Sequence, residues 1–348
     1  MQPRIIVFDT KPYDRTFLEK VNAGFGFELR FIENHLTAET RALAAGFDAA
    51  CIFVNDSADV TVIESLHEGG VKMIALRCAG YNNVDMKSAF GKIHVVRVPA
   101  YSPRAVAEHA VGLMLTLNRK FHRAYYRVRD NNFSINGLIG FDMYGKTIGV
   151  IGTGKIGKTA IEVLSGFGMN VLAFDKYPDQ AFAEKTGVRY VDLDTLYATS
   201  DIITLHCPLT PENVHMINRG AIQKMKDGVM IINTGRGGLI DTRDLIAGLK
   251  TRKIGSAGLD VYEEETDYFF EDFSSSAIAD DVLARLLTFP NVLVTSHQGF
   301  FTEEALANIA TTTLENIRLF FEKGELPNEI CYNCCEGGCG RKTTGKCF

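Results

Sequence analysis

From Arg4 onward the chain alternates short runs of β-branched and apolar residues with stretches of helical periodicity, and no other feature restricts its fold as tightly. RIIVFD, FELRFI, AACIFV and VKMIAL are the first runs, with helical patterns near residues 15–21, 37–44 and 60–67 between them. Antiparallel neighbours need only a tight turn, whereas parallel neighbours need a crossover of a dozen residues or more, so this alternation predicts parallel sheets flanked by helices. At 348 residues the chain is long enough for two such domains, each with its own core. One more strand-like run, IHVVRVP, precedes PAYSPRAVAEHAVGLMLTL, where Ser102 can cap and Pro103 can open a helix with apolar positions at three- and four-residue spacing. The next stretch, RAYYRVRDNNFSINGLIGFDMYG, is aromatic, basic and poorly periodic; it reads as a connection or a partner-facing arm.

A second α/β series opens with KTIGVIGTGKIGKTAIEVLSGFGMNVLAFD. Residues 147–151 read as a buried strand, Gly152, Gly154 and Gly157 supply G-x-G-x-x-G, and residues 156–164 continue as an amphipathic helix. The first glycine permits a tight turn, the second lets backbone approach a pyrophosphate, and the third lets helix and strand pack closely, with the phosphates at the positive helix end. Asp175, ending VLAFD, supplies a carboxylate that can accept both ribose hydroxyls and would repel a 2′-phosphate, which favours NAD over NADP. The adjacent cation Lys176 softens that repulsion.

Further strands are expected in DIITLHCPL, GVMIINTG, GSAGLDV and NVLVTS. In doubly wound sheets ligands lie beyond the carboxyl ends of the strands. Arg236 follows MIINTG, Asp260 ends GSAGLDV with Glu265 soon after, and His297 follows LVTS. Hydride transfer to a 2-keto acid makes an alkoxide beside a carboxylate, so its site needs a fixed cation and a proton donor. An Arg fork binds a carboxylate through two parallel hydrogen bonds. A His has an unperturbed pKa of about 6.5, nearest to neutrality, and a carboxylate on its far ring nitrogen stabilises the imidazolium. Taken singly, each residue has a plainer reading: Arg236 as a surface ion pair, His297 as a satisfied buried histidine, and Glu263, Glu264 and Glu265 as a solvated loop tip. Their joint position after a dinucleotide fingerprint favours the chemical reading, with one glutamate facing the imidazole.

The segments AEHAVGLML, GVIGTGKIGK, INTGRGGLID, GLDVYEEE and SHQGFFTEEAL resemble the D-2-hydroxyacid dehydrogenase family, and within it the D-lactate dehydrogenase branch, over nearly the whole chain to about residue 330. The resemblance implies an α/β fold of two doubly wound parallel-sheet domains with a cleft between them. A Rossmann-like NAD domain, residues 102–298, would be inserted in a flavodoxin-like substrate domain, residues 1–101 plus 299–330. It implies that Arg236 holds the substrate carboxylate, that His297 is the acid/base and that Glu265 is its partner; formate dehydrogenase relatives carry a glutamine in that last role. Ala79 and Gly80 would add backbone amides to the carboxylate, Tyr101 would face the substrate, and Val54 and Phe300 would line its side-chain pocket. For Ala79, Gly80 and Tyr101 ordinary turn and packing readings compete. Lys155, Ile156, Cys207, Pro208, Thr234, Gly235 and Asp260 fall on cofactor positions, beside the glycines and Asp175. The activity implied is NADH-dependent reduction of pyruvate or a similar small 2-keto acid to the D-2-hydroxy acid, by a protein that is usually a homodimer. The other reading is a non-catalytic NAD(H)-sensing partner protein of corepressor type, a group that resembles the same family.

Charge and cysteine usage set the remaining bounds. A net charge of −5 gives no basic field for nucleic acid, and no run has the length of a membrane span. The apolar run at the start ends at Asp9, too short for a signal-peptide core, so a cytoplasmic protein is expected, and Cys51, Cys78 and Cys207 lie singly in apolar stretches, as reduced core thiols do. No metal is expected at the dehydrogenase-like site. The tail, residues 331–348, holds Cys331, Cys334, Cys335, Cys339 and Cys347; a flexible reduced tail, a zinc site and redox-active disulfides all remain open for it.

Overall fold

The apolar runs become strands, and every strand pair between them is parallel. In Met1–Ser102 together with Phe301–Phe348, the first of two compact units, they are β1 (Arg4–Val7), β2 (Glu28–Phe31), β3 (Ala49–Ile52), β4 (Met73–Leu76) and β5 (His94–Arg97), in the order β2-β1-β3-β4-β5. In the second unit, Pro103–Phe300, they are β6 (Thr147–Ile151), β7 (Asn170–Phe174), β8 (Arg189–Tyr190), β9 (Ile202–Leu205), β10 (Val229–Asn233), β11 (Ile254–Leu259) and β12 (Val292–Val294), in the order β12-β11-β10-β9-β6-β7-β8. Both orders are doubly wound, reversing between β1 and β3 and between β6 and β9. The structure, a computed structural model, describes residues 2–264 and 268–332.

The strands form where they do because helices cover both faces of each sheet. All residues of β3, β4, β9 and β10 are buried. Each wholly buried Ile or Leu there contributes roughly 1.5–3 kcal/mol relative to exposure. In the first unit, Ala310, Leu314 and Ile317 of the C-terminal helix Glu303–Lys323 join Ile5, Val7, Ala49 and Met73 in one core. In the second, the helix Pro103–Arg119 packs Ala107, Ala110 and Met114 against Ile148, Ile161 and Ile232. Among the described residues no helix is long and apolar enough to cross a membrane.

Local differences from the sequence pattern have local causes. Residues 37–44 give only a 3-10 turn, Arg41–Ala44, because Thr40 Oγ1 donates to His35 O at 2.6 Å and accepts from Thr37 N at 2.9 Å, replacing helical bonds with side-chain ones. The aromatic arm begins as a helix, Phe121–Arg129, with no buried residue. Strand β8 has only two residues at the sheet edge, too few for a periodic signal.

Candidate active site

The dinucleotide fingerprint folds as its spacing demands. Gly152 follows β6 with φ +93°, Gly154 is the N-cap of the helix Lys155–Ser165, and Ile156 and Gly157 lie in its first turn. A Cβ added to Gly157 would stand 1.9 Å from Gly152 O, so the turn closes only with glycine there. A Cβ added to Gly154 would meet nothing within 4 Å, and no side chain caps this helix end, so uncapped N–H groups face open space.

Asp175, just beyond β7, is bonded to that loop. Its Oδ2 accepts from Thr153 N at 2.6 Å and Thr153 Oγ1 at 2.9 Å, and its Oδ1 accepts from Tyr177 N at 2.9 Å. Burial alone pushes the carboxyl up, but the bonds from Thr153 and Tyr177 and the charge of Lys158 outweigh it and hold the group below the usual range. An ionised carboxylate with lone pairs to spare suits ribose hydroxyls. Lys176 is exposed beside it.

Next to the loop stands the end of β9. The backbone of Cys207 lies 2.6 Å from the position of a Gly152 Cβ, and burial pushes the Cys207 thiol up to about 11, so it packs rather than reacts; Pro208 follows. Burial pushes His206 down to about 4, which keeps it neutral, with Nε2 3.0 Å from Thr204 Oγ1. After β10, Thr234 is buried and its Oγ1 has no hydrogen-bond partner among the described residues, while Gly235 N donates to Asn233 Oδ1 at 3.0 Å. An orphaned hydroxyl, an uncapped helix end and an ionised acid along one sheet edge are the donor and acceptor set that NAD requires.

The ends of β10, β11 and β12 carry the remaining groups. These three strands are consecutive in the sheet, so their ends fall roughly 5 Å apart. Backbone bonds tie them: Asp260 N donates to Asn233 O at 2.9 Å, Thr295 N to Leu259 O at 2.9 Å, and His297 N to Asp260 O at 2.8 Å. Arg236 is exposed, its Nη1 donates to Gly235 O at 2.7 Å, and among the described residues it has no ion pair. His297 is half-buried, sits at φ +52°, and its ring lies 6.2 Å from that of Phe270.

What holds His297 in that left-handed backbone is Asp260, 1% exposed. Its carboxylate accepts from Thr295 Oγ1 at 2.5 Å, Gln298 N at 2.9 Å and Gly299 N at 2.8 Å. His109, from the helix Pro103–Arg119, reaches the same point, with Nε2 3.1 Å from both Thr295 Oγ1 and Asp260 Oδ1. Sequence reasoning missed His109 and Thr295; a histidine inside AEHAVGLML carries no local sign of a partner so far along the chain. Glu263 also differs from its reading as a loop tip: it is half-buried and bonded on both oxygens, to His215 and to Thr242 N. Glu265 lies outside the described residues, as do Cys334, Cys335, Cys339 and Cys347 of the tail.

In the first unit, Val54 follows β3 and the half-buried pair Ala79–Gly80 follows β4, on adjacent strands. Ala79 O accepts from Arg97 Nη1 at 2.8 Å, and Gly80 O from Cys78 Sγ at 3.3 Å. Tyr101 lies beyond β5, its carbonyl accepting from Asn308 Nδ2 at 2.9 Å. Phe300 closes the second unit, buried, with its ring 6.5 Å from that of Phe270.

Comparison with known proteins points the same way. The family model described as D-isomer specific 2-hydroxyacid dehydrogenase, NAD binding domain, matches residues 111–299. The chain is 58% identical over 330 residues to the D-lactate dehydrogenase of Escherichia coli strain K12, covering 94% of this chain and 99% of that one. The apo structure of D-lactate dehydrogenase from Escherichia coli matches with a TM-score of 0.87 at 55% identity, over 94% of this chain and 99% of that chain. A structure described as the pyruvate reductase of Chlamydomonas reinhardtii matches with a TM-score of 0.88 at 48% identity, over 92% and 96%.

Proposed function

The chain belongs to the D-2-hydroxyacid dehydrogenase family as an NAD-dependent enzyme of its D-lactate dehydrogenase branch, and on that premise we propose that it reduces pyruvate, or a 2-keto acid of similar size, to the D-2-hydroxy acid. The observation that carries this reading is the run of three adjacent strand ends bearing Arg236, Asp260 and His297, beside a glycine loop with its acidic partner. When bound, NADH supplies the hydride. Arg236 fixes the substrate carboxylate through its guanidinium fork, an orientation worth more than charge alone. His297 in its protonated form gives its proton to the carbonyl oxygen, a step worth roughly a hundred- to ten-thousand-fold in rate. Glu265 faces the far nitrogen and stabilises the imidazolium. Ala79 and Gly80 add amides to the carboxylate, Tyr101 faces the substrate, and Val54 and Phe300 limit the side chain to a small apolar group.

On the cofactor side, Gly152, Gly154, Lys155, Ile156 and Gly157 take the pyrophosphate and Asp175 the ribose. Cys207, Pro208, Thr234 and Gly235 flank the rest, and Asp260 contributes through the loop it holds. We also read the protein as a cytoplasmic homodimer. Support for the homodimer comes from the second unit's arm, where Phe133, Ile135, Ile139 and Tyr144 are each more than 70% exposed, an apolar run that water alone covers poorly. The test is NADH consumption by purified protein with a panel of 2-keto acids and chiral analysis of the product. Fastest turnover on pyruvate with D-lactate as product is expected. Turnover on none of them would overturn the enzyme reading in favour of a sensing role.

A further inference from the structure

Arg236 can hold a carboxylate only if its own backbone is held, and the turn it begins, 236–242, contains two glycines and a single 3-10 turn, Gly237–Leu239. One side of Arg236 is fixed by Asn233, whose Nδ2 donates to Arg236 O at 2.9 Å. The other side is fixed by a group outside the reacting set. Glu263 Oε1 accepts from His215 Nε2 at 2.6 Å, and its Oε2 accepts from Thr242 N at 2.9 Å, in the first turn of the helix Thr242–Lys250. His215, at φ +52°, donates its own N–H to Gly238 O at 2.8 Å, and Ile217 N donates to Leu239 O at 3.0 Å. Between these points Gly237 runs so close to the 262–263 backbone that an added Cβ would stand 2.1 Å from Tyr262 O.

We propose that Glu263, clamped between His215 and the N-terminus of the helix Thr242–Lys250, is a positioning residue that sets where the Arg236 fork points, and so tunes affinity for the substrate carboxylate. This rests on Arg236 being the carboxylate-binding group. Glu263 Oε2 holds Thr242 N at the end of the 236–242 turn and Oε1 holds His215, whose own N–H bonds Gly238 O within that turn, and a carboxylate with two directed donors fixes such a turn more firmly than packing against glycines does. In sequence, Glu263 stands two residues before Glu265, the position assigned to the imidazole of His297.

The test uses the full chain with pyruvate, NADH and oxamate, a pyruvate analogue that accepts no hydride. For Glu263→Ala and His215→Gln we expect the pyruvate KM and the oxamate inhibition constant to rise about tenfold, with kcat within about threefold and NADH affinity unchanged. Glu263→Gln keeps one acceptor oxygen and should rise only about threefold, and it reports if the alanine variant does not fold. On an Arg236→Ala background, Glu263→Ala should add nothing further to KM. An unchanged KM in Glu263→Ala and His215→Gln overturns the proposal, as does a parallel loss of KM, kcat, NADH affinity and thermal stability, which would mark a merely structural residue. If Arg236→Ala itself leaves KM unchanged, the carboxylate reading fails, and it does so separately from the clamp.

Discussion

The two ends of the nucleotide-binding sheet are built differently. At β6 and β7 the proposed working groups are close in sequence: Asp175 answers the loop at Thr153 through two short bonds and is held by a third from Tyr177 N, and the helix end supplies bare N–H groups. At β10, β11 and β12 the proposed working groups, exposed Arg236 and half-buried His297, rely on buried or distant ones. Asp260 pins the His297 loop, and His109 reaches Thr295 across 186 residues of sequence. In the proposed reading, cofactor binding rests on local backbone geometry and the reacting edge on long-range side-chain anchors, so mutations at the two ends should separate accordingly.

The sharpest break in that comparison comes from His297→Gln. Turnover should fall by roughly a hundred- to ten-thousand-fold while NADH affinity, followed by fluorescence titration, stays within about threefold. Equal loss of both would mean that the imidazole belongs to the cofactor side. Asp260→Asn comes next. It replaces an acceptor-only group facing three donors with an amide that can satisfy only part of them, so kcat should drop by about a hundredfold and stability by about 1–3 kcal/mol. Unaltered kinetics in a folded protein would show that the 295–299 loop holds itself.

At the other end, Asp175→Ser should weaken NADH about tenfold and improve NADPH relative to it; a preference unchanged by the substitution would remove Asp175 from the ribose. Asp175 also carries a pH signature. Its folded carboxyl lies below the ordinary value of about 4, so its stabilising contribution is present above that value and is lost as pH falls through the depressed one. The gap in melting temperature between wild type and Asp175→Asn should accordingly narrow as pH is lowered below about 4. A gap that widens reverses the sign. The smallest effect is expected for His109→Gln, a few-fold loss in kcat with NADH binding unchanged, because Thr295 and two backbone amides still hold Asp260.

The same division explains what was legible in the sequence. Alternating runs forecast eleven of the strands described, because a strand buried on both faces must be apolar along its length, and the glycine loop with Asp175 was legible because its parts lie close together. The loop tip at Glu263 was not: its partner His215 stands 48 residues upstream and depends on a left-handed backbone that no composition rule signals. Residues 37–44 misled because the Thr hydroxyls that break the helix bond backbone groups only in the folded turn. The family resemblance puts Asp260 on a cofactor position; that its carboxylate also accepts from Thr295, Gln298 and Gly299, and so holds the loop of His297, is a direction that only coordinates reveal.

The most direct test of the account is a crystal structure of the ternary complex with NADH and oxamate. The account predicts a ring nitrogen of His297 within about 2.6–3.2 Å of the oxamate carbonyl oxygen, the Arg236 fork on its carboxylate, and Glu265 on the far side of the imidazole. An imidazole remote from that oxygen in a fully loaded enzyme, with another group in its place, would contradict it.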